Sequence, residues 1–281
     1  MSKPTCIVCG GACGPFNIRG LLSCRNCGFV SADVQLSREE LELLYSAKYF
    51  AGEEYKDYLA ERRLIEKQFR LRLSTLLRYV SGAADKNLFE IGSAYGFFLS
   101  VARERFRSVE GIDISRDAAA HARDTLGLPV SAGEFLDYEI KDRIDVACLW
   151  DTVEHLEAPH RYFEKLAANM QKGGILAVTT GDIGSLVARI RGAKWRQIHP
   201  PTHLHYFSRD TLTKLLRNHG FTVRYCGYDG MYRSLDTIAY IILNIKHRRP
   251  GVYQRLKKAG LLNFDLYLNL YDILFIVAEK E

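Results

Sequence analysis

Leu88-Phe-Glu-Ile-Gly-Ser-Ala-Tyr-Gly96 opens as a short apolar strand and closes on two glycines, and Phe97 to Arg105 continues in a helical pattern. Glycines at such a strand-to-helix turn let the backbone approach a ligand and leave helix N–H groups aimed at it. Ala94 stands where GxGxxG has its middle glycine, so the loop suits a dinucleotide pyrophosphate poorly. Working outward, strands are expected at Val109–Ile114, Ile144–Trp150, Ile175–Thr180, Phe221–Tyr225 and Leu274–Ala278. Helices are expected at Ala118–Leu126, Pro159–Met170 and Arg209–His219, the last led by the N-cap candidate Ser208. That alternation means βαβ units with right-handed crossovers, hence an α/β, Rossmann-like doubly wound sheet.

Acidic residues follow the loop at telling places. Asp113 lies 21 residues after Gly92 at a strand end, where a carboxylate can accept both hydroxyls of a ribose. Glu134 follows Gly133 before the next strand. Asp151-Thr-Val-Glu154-His155 follows the strand ending at Trp150, a position that opens onto the ligand crevice of a doubly wound sheet.

In these segments the chain resembles the class I S-adenosylmethionine-dependent methyltransferases. The match rests on the glycine stretch, Val109-Glu-Gly-Ile-Asp-Ile-Ser115, Ile144 to Leu156, Met170 to Thr180 and Leu270 to Ala278, and spans about residues 40–281. Gly181-Asp182 departs from the Pro-Asn that this subgroup often carries. By position, the resemblance implies that Gly92 and Gly96 line the methionine end of the cofactor and that Asp113 holds its ribose. Glu134 and Phe135 are then near the adenine, with Trp150 at the strand end and Glu90, Tyr95 and Ile114 beside the same ligand. It implies methyl transfer to a hydroxyl oxygen of a small-molecule or carbohydrate-type acceptor, nucleotide- or glycan-linked. Two other readings stand beside it: an RNA methyltransferase gripping nucleic acid, and a non-catalytic zinc-ribbon interaction protein.

Five of the seven cysteines fall within the first 27 residues. Cys6-x-x-Cys9 and Cys24-x-x-Cys27 have the spacing of two knuckles that close a tetrahedral, structural zinc site. Gly10 and Gly28 follow each knuckle, where a positive φ is often needed. Chance CxxC pairs, a redox dithiol and Cys13 as a substitute ligand are the competing readings. The expected organisation is a zinc-ribbon-like module at 1–35, a helical linker or lid at 36–82, and the cofactor domain at 83–281 with a substrate-side insertion at about 182–208. Within the linker, Ser37-Arg-Glu-Glu40 has the capping-box pattern, and a second amphipathic helix is expected from about Tyr55 to Tyr79. Tyr45, Tyr49, Phe50, Tyr55 and Tyr58 are either packing residues or a lid over the ligand.

For chemistry, His155 and His203 are expected to face the transferring methyl from opposite sides, with Glu154 beside them. His155 reads as a positioned structural histidine, as a general base, or as a ligand of Mg²⁺ or Mn²⁺ with Asp151 and Glu154, joined by His203 or His205. The third resembles the ExxEH site of methyltransferases acting on small-RNA ends and in ubiquinone synthesis, with Asp151 in place of the first Glu. Basic stretches at Arg189–Arg196 and Lys246–Lys258 are either solvated faces or a hold for an anionic partner, nucleic acid included. A net charge of +6 permits such a partner without demanding one. The balanced composition excludes collagen-like and wholly disordered classes. No apolar run is long enough for a membrane span and no signal core opens the chain, so a soluble cytoplasmic protein is expected.

Overall fold

The computed structural model describes residues 5–34, 40 and 58–281. The helix start expected at Ser37 and the aromatics Tyr45, Tyr49, Phe50 and Tyr55 lie outside the described residues. The N-terminal module folds around β1 (Cys13–Pro15), β2 (Leu21–Cys24) and β3 (Val30–Ala32), paired antiparallel in that order. Next comes α1 (Arg62–Leu76), whose Leu73 and Leu76 pack with Phe98, Leu99 and Val109.

The large sheet starts at β4 (Asn87–Ile91) and continues through α2 (Phe97–Ala102), β5 (Ser108–Asp113), α3 (Arg116–Asp124) and β6 (Val130–Ala132). The chain then crosses back to β7 (Ile144–Trp150), α4 (Pro159–Asn169) and β8 (Met170–Gly181). Every residue of β7 is buried, as a parallel strand covered on both faces requires. Leu149 and Leu176 face one core with Phe163 and Leu166 of α4, while Val146, Cys148 and Ala177 face the other. These alternating sides put helices on both faces of the sheet.

Beyond β8 the segment at 182–208 contains α5 (Leu186–Arg191) and the short β9 (His205–Tyr206). β9 pairs antiparallel with β3, Val30 opposite Tyr206 and Ser31 opposite His205, so the N-terminal sheet takes its fourth strand from this segment. Phe29 packs on Phe207 at 5.3 Å, which joins the module to the core of the large sheet. The segment's Arg196 and Trp195 both donate to the buried Asp272, at 2.9 Å each, so part of the first basic stretch is structural.

After α6 (Arg209–Asn218), β10 (Phe221–Ser234) and β11 (Asp265–Lys280) run far past the expected strands. Their inner halves carry the expected apolar runs. The outer half of β11 mixes Asp265, Asn269 and Asp272 with exposed Tyr267, Leu268, Leu270 and Tyr271, and that of β10 is mostly half-buried. Bulges between Val223 and Tyr225 and between Asp229 and Met231 break the alternation. Between them stand α7 (Leu235–Ala239), a π-helical turn at Tyr240–Lys246 and α8 (Pro250–Lys258).

The seven-stranded order is β10-β11-β8-β7-β4-β5-β6, with β11 antiparallel to both neighbours and the rest parallel. The last strand of the chain is thus inserted beside β8, and the order reverses between β4 and β7. Ligands of doubly wound sheets bind at that switch point. Among the described residues no helix is long and apolar enough to cross a membrane.

Candidate active site

A cavity of about 430 Å³ opens at the carboxyl ends of β4, β5 and β7. Its lining includes Glu90, Gly92, Asp113, Ile114, Glu134, Phe135 and Trp150, and on the other side Asp151, Thr152 and His155. That size lies within the usual range of small-molecule sites. Gly92 has φ +74°, and a Cβ there would sit 2.5 Å from Thr152 Oγ1, so only glycine lets this loop lie against the turn after β7.

Gly96 and Tyr95 are placed differently: neither lines the cavity. A Cβ on Gly96 would meet Leu128 Cδ1 at 2.8 Å and Ala122 Cβ at 3.0 Å, so this glycine seats α2 against α3. The Tyr95 ring stacks 5.5 Å from that of Tyr58, which itself lines the cavity, and lies 5.2 Å from that of His121.

Asp113 accepts the Ala94 amide at 2.7 Å and the Ser115 amide at 2.8 Å, which pins the loop across two strands. Burial pushes its carboxyl up to about 6, against those two N–H donors. Glu90 is buried beside it, and its Oε2 has no hydrogen-bond partner among the described residues. Burial, then the Asp113 charge, hold Glu90 well above the usual carboxylate range. Glu134 accepts the Leu136 amide at 3.2 Å and the Tyr162 hydroxyl, while Phe135 stacks on the Tyr162 ring at 5.6 Å. Trp150 is held edge-on by Phe98 and Phe275, and its Nε1 is also without a partner among the described residues.

On the β7 side the His-rich segment folds back. Leu204 and His205 both donate backbone N–H groups to the Glu154 carbonyl, at 2.8 and 3.1 Å. His155 and His203 therefore come together edge to face, ring centroids 4.6 Å apart and planes at 84°. Rings in contact leave no room for an acceptor between them, so the two do not flank a transferring group from opposite sides. His155 Nδ1 bonds the Thr202 carbonyl at 2.8 Å and His203 Nδ1 the Gln197 carbonyl at 2.9 Å. A carbonyl only accepts, so each Nδ1 carries the hydrogen and each Nε2 the lone pair. Burial lowers His155 to about 4 and His203 to about 2. Donor atoms of Glu154, His155 and His203 all lie within 4.8 Å of one another, and Glu154 Oε2 is buried without a hydrogen-bond partner among the described residues.

Asp151 does not join that group. Its Oδ2 accepts Arg72 Nη1 at 2.8 Å and its Oδ1 accepts Thr179 Oγ1 at 3.0 Å. Arg72, buried on α1, also bonds Asp229 of β10 at 2.7 Å, where Gln68 donates as well at 2.8 Å. The guanidinium lies 5.5 Å from the Trp150 ring centroid. Neither Arg72 nor Asp229 stands out in the sequence, because each reads as one more charge on an amphipathic element.

The methyltransferase domain family model matches residues 60–225, more than half of the chain. The chain belongs to that methyltransferase family.

It is an S-adenosylmethionine-dependent enzyme with the class I Rossmann-like fold. The methyltransferase is similar in structure to a SAM-dependent methyltransferase of Thermotoga maritima, at 20% identity and a TM-score of 0.52 over 81% of this chain and 95% of that one. A SAM-dependent methyltransferase of Clostridium acetobutylicum aligns at 8% identity and TM-score 0.53, over 79% and 97%. The magnesium protoporphyrin IX methyltransferase of Synechocystis PCC 6803 aligns at 12% and 0.52, over 83% and 92%. At such identities these likenesses speak for the fold alone. No curated protein matches the chain in sequence.

The methyltransferase carries a second cluster in its N-terminal module. Cys6 Sγ lies 3.6 Å from Cys27 Sγ, and Cys9 Sγ 3.5 Å from Cys24 Sγ. Zinc–sulfur bonds of about 2.3 Å in a tetrahedron give sulfur separations of about 3.8 Å, close to these. Val8 and Asn26 amides point at Cys6 and Cys24 sulfurs, and Gly10 and Gly28 take φ of +71° and +74°. Cys13 is buried outside this group, so the four-thiolate set is the one that converges.

Proposed function

We propose that this methyltransferase moves a methyl group from S-adenosylmethionine to a hydroxyl oxygen of a small-molecule or carbohydrate-type acceptor. The supporting observation is that a single cavity is lined both by Glu90, Gly92 and Asp113 and by His155. Glu90, with an unpartnered buried oxygen, suits the cofactor's ammonium; Asp113 suits its ribose hydroxyls; Glu134 and Phe135 suit its adenine. When bound, the cofactor supplies an electrophilic methyl on a sulfonium. The chain's own part is to hold the acceptor oxygen in line and to take up its proton. The His155 lone pair at Nε2 is the proton acceptor in this scheme. Cys6, Cys9, Cys24 and Cys27 hold a structural zinc.

A second account of the same cluster has an observation in its favour. Histidine ligands of a metal usually donate their other N–H to a carbonyl or carboxylate, as both His155 and His203 do. Glu154, His155 and His203 would then hold a divalent cation that binds the acceptor oxygen and makes its proton easier to lose.

The test is transfer of isotopically labelled methyl from S-adenosylmethionine to a panel of free sugars, nucleotide-linked sugars, glycans and RNA, with the product bond read by NMR. An O-methyl sugar is the expected product. Label appearing only in RNA, or only on carbon or nitrogen, overturns the acceptor class.

A further inference from the structure

The 28 residues at 237–264 contain six basic side chains, Lys246, Arg248, Arg249, Arg255, Lys257 and Lys258, and no acidic one. The rest of the chain holds 33 basic and 33 acidic residues, so the whole net charge of +6 sits in this one segment. The structure places it as an arm: β10 and β11 go on pairing with each other as far as Ser234 and Asp265, past Ile273 where β11 leaves β8, and this two-stranded ribbon carries α7, the π-helical turn and α8 at its end. All six basic residues are exposed.

Large apolar side chains stand exposed among them. Ile241, Ile242, Val252, Leu261 and Phe264 are 42 to 57% exposed. This is not an unfolded segment spilling its core. Ala239, Tyr253 and Leu262 are buried as a small core of the arm's own, and Tyr253 donates to Asp236 at 3.0 Å. The arm is also fastened at its base, where Arg63 of α1 forks onto Asp265 with two bonds of 2.8 Å. A folded, anchored element that keeps both its charges and its aliphatics in water has a surface awaiting a partner.

We propose that this arm docks on the surface of an anionic lipid bilayer. Charge and apolarity together choose that occupant. A second copy of the chain would set one cationic arm against another. A nucleic acid would satisfy the cations but give Ile241, Ile242, Leu261 and Phe264 nothing to bury against. The interfacial region of an anionic bilayer takes aliphatic side chains into the acyl boundary and holds Lys and Arg at the headgroups. Asp229 and Asp265 link the arm's two strands to α1, and Phe69 of α1 lines the cavity, so a docked arm would hold the active site at a fixed orientation to the membrane.

The experiment is flotation of the full chain with vesicles of phosphatidylcholine alone or mixed with phosphatidylglycerol, at low and high salt. Binding to the mixed vesicles, weakened by salt and absent from the neutral ones, is expected. Each basic residue near an anionic surface is worth roughly fivefold in partitioning, so Arg248→Glu, Arg249→Glu and Lys258→Glu together should lower it by about a hundredfold or more. Leu261→Ser with Phe264→Ser, which leaves every charge in place, should weaken partitioning further than salt alone can. A parental thermal transition in both variants shows that the fold is kept. No flotation with anionic vesicles at low salt overturns the proposal. So does flotation untouched by the Leu261/Phe264 pair, or a salt-sensitive complex with duplex RNA in which that pair is neutral. Self-association abolished by that pair would overturn it in favour of a second copy.

Discussion

Arg72 and Asp151, 79 positions apart in the chain, meet at 2.8 Å, and the same guanidinium reaches Asp229 at 2.7 Å. Asp151 adopts φ +50°, a conformation that costs a non-glycine residue energy and that the Arg72 and Thr179 bonds hold in place. One buried cation thus joins α1, the turn after β7 and β10 around the cavity. Both aspartates strengthen the positive charge of Arg72 against its burial.

Replacing Arg72 with Ala leaves Asp229 buried without its cation. Breaking a buried pair from one side costs about 3–5 kcal/mol. For a chain of this size that lowers Tm by about 6–20 °C, which calorimetry will detect. Arg72→Lys can satisfy one aspartate but not both, so it should fall between. A transition within about 2 °C of the parent in Arg72→Ala would show that the triad carries no stability.

Asp113 gives the pH dependence. Its folded-state value, raised by burial to about 6, exceeds the ordinary aspartate value, so the folded chain binds this proton more tightly than the unfolded chain does. The group's contribution to stability therefore falls as pH rises from about 4 to 6. Ribose hydroxyls donate best to the ionised form, so cofactor affinity should drop as pH falls below about 6, approaching tenfold per unit. Asp113→Asn should flatten that dependence while weakening binding at neutral pH by about 1.5–3 kcal/mol. Calorimetric titration across pH 4.5 to 8 checks both, and an unchanged profile in the variant removes the assignment.

How much of this was legible follows from which interactions are local. The glycine loop, the β4–β8 alternation and the paired knuckles are short-range patterns, and the sheet was readable from them. A glycine at the Gly96 spacing serves either backbone approach to a ligand or packing, and its tertiary contact with Ala122 and Leu128 is not encoded in the local pattern. The convergence of Glu154 and His155 with His203, 48 residues beyond His155, depends on how the 182–208 segment folds back, which no periodicity encodes. Asp151 looked like a ligand by its place in the motif, yet Arg72 claims it from a helix that sequence spacing cannot dock.

The two accounts of the histidine cluster separate cleanly. If Glu154, His155 and His203 hold a cation, Mn²⁺ should bind once at this cluster in calorimetry. Glu154→Gln or His203→Ala should then weaken it by about tenfold or more while cofactor affinity stays parental. Turnover lost to a mild chelator should return with Mg²⁺ or Mn²⁺. If His155 acts alone as base, His155→Ala lowers turnover by about a hundredfold and added metal changes nothing. Parental turnover in both His155→Ala and His203→Ala would leave positioning as the only contribution.

The ribbon should report on the active site through β9. Ala32 of β3 donates to the Leu204 carbonyl at 2.8 Å, and Leu204 in turn donates to the Glu154 carbonyl at 2.8 Å. Two hydrogen bonds therefore separate the cysteine module from the Glu154–His155 turn. On the proposed zinc assignment, zinc removal or Cys24→Ser should unfold the module, since structural zinc sites supply folding energy outright. The amides of Leu204, His205 and Tyr206 should then exchange with solvent far faster, while those of Ile144 to Trp150 in β7 keep their protection. Turnover should fall with the same metal dependence, although no cysteine touches the cavity. Hydrogen exchange followed by mass spectrometry on the zinc-loaded and zinc-stripped protein measures this directly. Loss of zinc with Leu204–Tyr206 protection intact would make the module an independent appendage, and activity should then survive its removal.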